Sequence, residues 1–170
     1  MKVNEFIEKF NELKNDEERT AFLNERVKET YIDFERKIDM CQKIIKSTSY
    51  NELTENSVVW KKQYAMEYLF YTIKLITTYT DVEIEDGNIM KNFNDLNKLY
   101  INYLGNYMNY INIILSAISQ TEITEFNFVL NLCKDDQESN ERNLISAISD
   151  LVALLTPAIS EEVPSISEAE

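Results

Sequence analysis

The stretch IMKNFNDLNKLYINYLGNYMNYINIILSA, residues 89–117, decides how the chain is read. Along it Ile89, Phe93, Leu96, Tyr100, Tyr103, Tyr107, Tyr110, Ile114 and Ala117 follow one another at alternating steps of four and three. Residues so spaced share one side of an α-helix, and the alternation is that of a heptad-like seam of about four repeats. Ile101, Leu104, Met108, Ile111, Leu115 and Ile118 form a second stripe, with Asn102, Asn106 and Asn109 on a polar face. Gly105 lies inside the pattern, where glycine costs about 1 kcal/mol relative to alanine. It is expected to kink or divide this helix.

Working outward, Ser57 opens the most apolar helix, running to about Thr80. Ala65, Leu69, Ile73, Ile76 and Thr80 lie along one side of it, with Tyr64, Tyr68, Tyr71 and Leu75 beside them. A helix apolar on two sides belongs at the centre of its bundle. The segment from Asp81 to Gly87 breaks the pattern and reads as a loop with a short extended stretch. Upstream, Asn4 caps a first helix (Phe6, Ile7, Phe10, Leu13), and Asn15 caps a second (Phe22, Leu23, Val27) whose first turn carries Asp16, Glu17 and Glu18. Asp33 caps a third (Phe34, Ile38, Cys41, Ile45), ending near Ser47-Thr48-Ser49, with a polar loop to about Asn56.

Downstream, Thr121 caps the last helical region. Phe126, Leu130, Cys133, Gln137, Asn140, Leu144, Ala147, Leu151 and Leu154 keep the same alternation. Its middle, Asp135 to Asn143, is almost wholly polar: an exposed stretch of one helix, or a break between two. Pro157 ends it. The expected fold is all-α, a single bundle of about six or seven helices over residues 1–156, followed by a flexible, disordered acidic tail over 157–170. Composition agrees, since β-rich folds draw on turn residues and the chain has only 2 Gly and 2 Pro.

The charged start lacks a signal-peptide core, and no apolar run reaches the roughly 18 residues of a membrane span. Cys41 and Cys133 sit among helically spaced apolar residues and read as free core thiols. These features point to a soluble protein of a reducing compartment, the cytoplasm of a cell. The net charge of −13 is uneven: residues 1–74 carry 13 basic against 14 acidic residues, and residues 75–170 carry 4 against 16. The acidic half repels phosphate backbones, so direct nucleic-acid binding is not expected.

Histidine is absent, which removes Ser-His-Asp and Cys-His nucleophiles and the usual nitrogen ligands for zinc or iron. With glycine only at 87 and 105, neither a P-loop nor a dinucleotide turn can be written. Counted from Asp81, Gly87 and Asn92 do not fit the sixth and twelfth positions of an EF-hand. One enzymatic option survives. Glu122/Glu125 and Glu138/Glu141 form two ExxE pairs, the spacing by which all-helical nucleotide pyrophosphohydrolases hold magnesium, although Glu5/Glu8 and Glu52/Glu55 match as well. The expectation is therefore no catalytic residue, no metal and no cofactor.

Ten tyrosines are the most distinctive feature, and Tyr100, Tyr103, Tyr107 and Tyr110 fall on one seam. An ordinary core seam whose hydroxyls reach the bundle edge is the simpler reading. Contact with a protein partner or a second copy is the functional one, because tyrosine joins a large apolar body to a polar tip. Tyr100, Tyr103, Tyr107 and Tyr110 are thus the first candidate partner surface. Asp135, Asp136, Glu138 and Glu141 are the second.

Three stretches carry a resemblance: Lys37 to Ile45 running into Ser47-Thr48-Ser49-Tyr50; Tyr79 to Ile84; and Glu125 to Asn131 followed by Asp135-Asp136 and Asn140-Glu141-Arg142. In this order and spacing the chain resembles small helical proteins encoded by tailed phages and prophages of low-GC bacteria, over residues 1–155. Asn97 to Ile113 departs from the pattern, with extra Tyr and Asn. The resemblance implies no catalytic residue. It implies a phage context, in which such proteins serve as virion or assembly components or as inhibitors of host defence. The expectation is a non-enzymatic interaction protein in the bacterial host cytoplasm, incorporated into a virion or acting during assembly, whose partner is a phage structural or host protein. The alternatives are an acidic inhibitor of a basic nuclease or sensor, and the magnesium-dependent pyrophosphohydrolase.

Overall fold

The computed structural model describes residues 1–53 and 58–139, which are mostly helical. Helices α1 (Val3–Glu12), α2 (Asp16–Arg26) and α3 (Phe34–Thr48) lead into the antiparallel strands β1 (Ser49–Leu53) and β2 (Val58–Lys62). Helices α4 (Tyr64–Tyr79) and α5 (Ile89–Lys98) follow, then the antiparallel pair β3 (Tyr100–Tyr103) and β4 (Asn106–Asn109), then α6 (Tyr110–Ser116). A further helix, α7, covers residues 120–139. No helix among the described residues is long and apolar enough to cross a membrane.

Two of the expected caps form. The Glu18 amide donates to Asn15 Oδ1 at 2.9 Å, and the Arg36 amide to Asp33 Oδ1 at 2.8 Å. Each satisfies one of the orphan donors at a helix start. α1 begins two residues earlier than an Asn4 cap would place it, because the backbone of Lys2 bridges Glu83 and turns the chain into the helix there. α7 likewise begins at residue 120 rather than after a Thr121 cap, with the Ile123 amide bonded to Ser119 O.

Two apolar clusters make the core, and α4 is the wall between them. On one side Ile76 joins Val3, Phe6 and Phe10 of α1, Leu23 of α2, Leu96 of α5, Tyr103 and the α6 residues Tyr110, Ile111, Ile113 and Ile114. On the other, Leu75 and Tyr79 join Ile32, Met40, Cys41, Ile44 and Ile45 of α3, and Phe126, Val129 and Leu130 of α7. The central position expected of the most apolar helix is borne out. Cys41 is free and buried, and Cys133 is free and half-buried. Burial pushes the Cys41 thiol up to about 12, so it stays protonated and unreactive.

Two short hairpins interrupt the helices where the sequence reads differently. The polar loop expected over residues 50–56 and the helix expected from Ser57 give way to β1 and β2, and α4 starts at Tyr64. Val58 and Val59, β-branched, open the second strand, as their backbone preference favours. The seam over residues 89–117 is not one helix. It is α5, a hairpin and α6. The hinge of the difference is Leu104-Gly105, where φ is +50° and +76°. Two successive positive φ values in a two-residue loop are the turn geometry that matches strand twist. Gly105 therefore reverses the chain rather than kinking a helix. Phe34, expected inward, is exposed on the first turn of α3. α7 is continuous through residues 135–139, the first part of its polar stretch. The rest of that stretch, Glu141, Pro157 and the tail 157–170 lie outside the described residues.

Gly105→Ala should lower folding stability by about 1–2 kcal/mol, the cost of holding an L-residue at left-handed φ. No atom lies within 4 Å of the added Cβ, so the loss is conformational rather than steric. Urea denaturation measures it.

Candidate interaction surfaces

The β3–β4 register sorts the four candidate tyrosines. Tyr100 pairs with Asn109, Ile101 with Met108, Asn102 with Tyr107 and Tyr103 with Asn106. Alternate residues face opposite sides of a strand, so Ile101, Tyr103 and Met108 turn to the core while Tyr100, Asn102 and Tyr107 share the outer face. Tyr103 meets Phe10 edge-on at 5.8 Å, and its hydroxyl lies 2.9 Å from Thr20 Oγ. Tyr110 packs edge-on against Phe6 and Phe10 and donates to Asn11 Oδ1 at 2.6 Å. Burial pushes the Tyr110 hydroxyl above its ordinary pKa. Tyr100 is 62% exposed and Tyr107 78% exposed. Half of the expected surface is therefore core, and half is surface.

The hairpin is braced from beneath. Leu104 N donates to Asp16 Oδ2 at 3.0 Å, and Arg19 Nη1 donates to Asn102 O at 3.2 Å. These bonds tie the turn to the first residues of α2, so the outer face is presented by a fixed element. At its tip Leu104 is 57% exposed in a conformation that L-residues avoid.

A second group of exposed aromatics begins on α4, and sequence reasoning missed it. Tyr64 and Tyr68, one turn apart on α4, are exposed, and Tyr68 meets Phe93 of α5 edge-on at 6.1 Å. One turn beyond Phe93, Asn97 Oδ1 accepts from Asn109 Nδ2 at 2.8 Å, and Asn109 stands opposite Tyr100. Tyr68 is thus tied to Tyr100 through Phe93, Asn97 and the buried Asn109. The sequence sets both beside the apolar side of a helix beginning at Ser57; because α4 begins only at Tyr64, they fall in its first turns, ahead of the residues that reach either core cluster. Tyr100→Ala and Tyr107→Ala should each change stability by less than about 1 kcal/mol, since they remove exposed strand residues. Thermal denaturation checks this.

The acidic candidate face divides. Asp135 and Asp136 are exposed on α7. Glu138 pairs with Lys62 at the end of β2, and Lys134 pairs with Glu67 of α4. Those two pairs help seat α7, so Glu138 is a packing contact as well as a surface charge. Glu141 lies outside the described residues.

The ExxE pair Glu122/Glu125 already holds a cation, and it is a lysine. Lys37 of α3 is 0% exposed, and its Nζ lies 2.9 Å from Glu122 Oε2 and 2.6 Å from Glu125 Oε2. Glu122 Oε2 also accepts from the Tyr79 hydroxyl at 2.7 Å and from the Ile32 amide at 3.2 Å. The Tyr31 ring covers the ammonium at 5.2 Å. Burial works against the charge on Lys37, but the bonds to Glu125 and Glu122 outweigh it and hold the pKa above the ordinary lysine value. Burial works against the Glu122 carboxylate too, and the bonds from Tyr79, Lys37 and Ile32 hold its pKa below the ordinary range. The Tyr79 hydroxyl is pushed up, by burial first and then by Glu122. The spacing that could have served magnesium serves a buried triad, Lys37, Glu122 and the neutral Tyr79, joining α3, α4 and α7. Among the described residues no group of three or more His, Cys, Asp or Glu side chains is arranged to hold a metal ion. No family model, curated protein or solved structure matches the chain.

Proposed function

We propose that this chain is a non-enzymatic interaction protein, a virion or assembly component of a tailed phage. The observation that carries the interaction reading is the braced β3–β4 hairpin, which holds Tyr100, Leu104 and Tyr107 in solvent over a packed aromatic core. Large aromatics left outside a core, on a fixed element and close to polar asparagines, are the composition of a contact surface. The phage setting rests on the ordered stretches from Lys37 to Arg142. The bundle of six or seven helices supplies the scaffold, and the acidic tail belongs to its solubility.

Mass spectrometry of purified particles and assembly intermediates tests the reading. The chain should appear in one or both in constant proportion to the major structural proteins. Its absence from both sinks the proposal. Exposed Asp135 and Asp136 support a second reading, an inhibitor that occupies the groove of a basic nuclease or sensor. That binding should weaken steeply with salt, and an affinity unchanged between low and high salt counts against it.

A further inference from the structure

We infer that the outer face of the β3–β4 hairpin, continued by Tyr68 and Phe93, is the contact through which two copies of this chain associate about a two-fold axis. The inference deepens the interaction reading, on which it rests, by naming the partner as a second copy.

Charge selects the occupant. The elements that build this face, residues 64–80 and 89–117, carry Lys74, Lys91 and Lys98 against Glu67 and Asp95, a net charge of +1 in a chain of −13. Residues 118–170 carry 2 basic against 11 acidic residues. Two copies meeting through the acidic part would set like charges against each other. Meeting through the hairpin face, they do not. Chemistry points the same way. An isologous interface pairs one patch with its own copy, so the patch as a whole must supply both donors and acceptors. Phenol hydroxyls and carboxamides do both, whereas carboxylates only accept. Tyr100, Asn102 and Tyr107 are such a set.

Area is sufficient. Tyr64, Tyr68, Tyr100 and Tyr107 are 73%, 57%, 62% and 78% exposed. At about 200 Å² for each side chain they offer roughly 500 Å². Leu99, Leu104 and the neighbouring asparagines extend this toward the roughly 800 Å² that each partner gives to a stable complex. Leu104 supplies an independent argument. Asparagine suits a positive φ in this turn better than leucine does, and leaves no apolar side chain in water. A strained, exposed leucine at the tip of a braced hairpin is unfavourable to the monomer on both counts, and it fits a contact made by that tip.

Sedimentation equilibrium on the full chain, up to about 1 mM, gives the test. The wild-type protein should dimerise. Tyr107→Glu, which sets a charge at the most exposed residue of the face, should weaken dimerisation at least about tenfold with an unchanged far-UV spectrum. Leu104→Asn should weaken dimerisation while raising the melting temperature of the monomer, a pair of opposite effects that a purely structural role does not produce. A wild-type chain that stays monomeric overturns the inference, whether the face then meets another protein or residues 140–170. So does a dimer indifferent to both substitutions. A monomer that still enters particles refutes self-association and leaves the assembly role standing; a dimer absent from particles does the reverse.

Discussion

Lys37→Met is expected to lower folding stability by about 3–5 kcal/mol. Methionine matches the volume of lysine, so packing is not the cause. The cause is Glu122, almost fully buried, which would keep the Tyr79 and Ile32 donors but lose the Lys37 cation. Glu122→Gln in the Lys37→Met background should recover part of the loss, because the amide oxygen still accepts from Tyr79 and Ile32 without a charge to bury. Urea denaturation reads both. A loss below about 1 kcal/mol would show that the triad is solvated and contributes little.

The same triad sets a pH window. Lys37 is raised in the fold, so its contribution is complete below about pH 10.4, the unfolded lysine value, and is lost as pH climbs through the higher folded value. Glu122 is lowered, so its contribution is complete above about pH 4.3 and is lost as pH falls through the lower folded value. Between those limits the triad adds a constant amount. The difference in stability between the wild type and the Lys37→Met/Glu122→Gln protein should therefore be flat from about pH 5 to pH 10 and shrink on either side.

Phe10→Ala is the second large expectation, at about 3–5 kcal/mol. Phe10 is fully buried and touches the rings of Phe6, Phe22, Tyr103 and Tyr110, with the Arg19 guanidinium over its face at 5.5 Å. The five rings come from α1, α2, β3 and α6, so no single neighbour can move to fill the space. The hairpin should feel the loss locally. Amide exchange of Tyr103 and Asn106 should accelerate more than that of Ile44 and Ile45, which lie in the other cluster.

Much of the helical framework was legible. Asn15 and Asp33 were identifiable as caps because a short acceptor stood before an apolar period, and the central place of α4 followed from its two apolar sides. The hairpin at residues 100–109 was not, because its tyrosines satisfy two periods at once. Steps of three and four between Tyr100, Tyr103, Tyr107 and Tyr110 are helical; in strands joined by a two-residue turn the same positions place Tyr103 inside and Tyr107 outside. Only backbone chemistry separates the two, through Gly105 and the run of Tyr, Ile and Asn, which favours strand and cap over helix interior. Asn109 shows the switch directly: it ends β4 and caps α6, accepting from the Asn112 amide at 2.9 Å. In the candidate sites, Glu122 and Glu125 were singled out for a metal because Lys37 is 85 and 88 positions away, beyond any spacing rule.

The placement of α4 as a shared wall has a consequence for how the molecule comes apart. Neither cluster can lose its packing without baring one side of the helix on which the other is built. Ile76 and Leu75 are adjacent in the chain, yet each is sealed by a different set of neighbours. Melting should therefore be a single all-or-none event, with calorimetric and van't Hoff enthalpies in agreement. The slowest-exchanging amides should be those of residues 72–79, which open only when everything does.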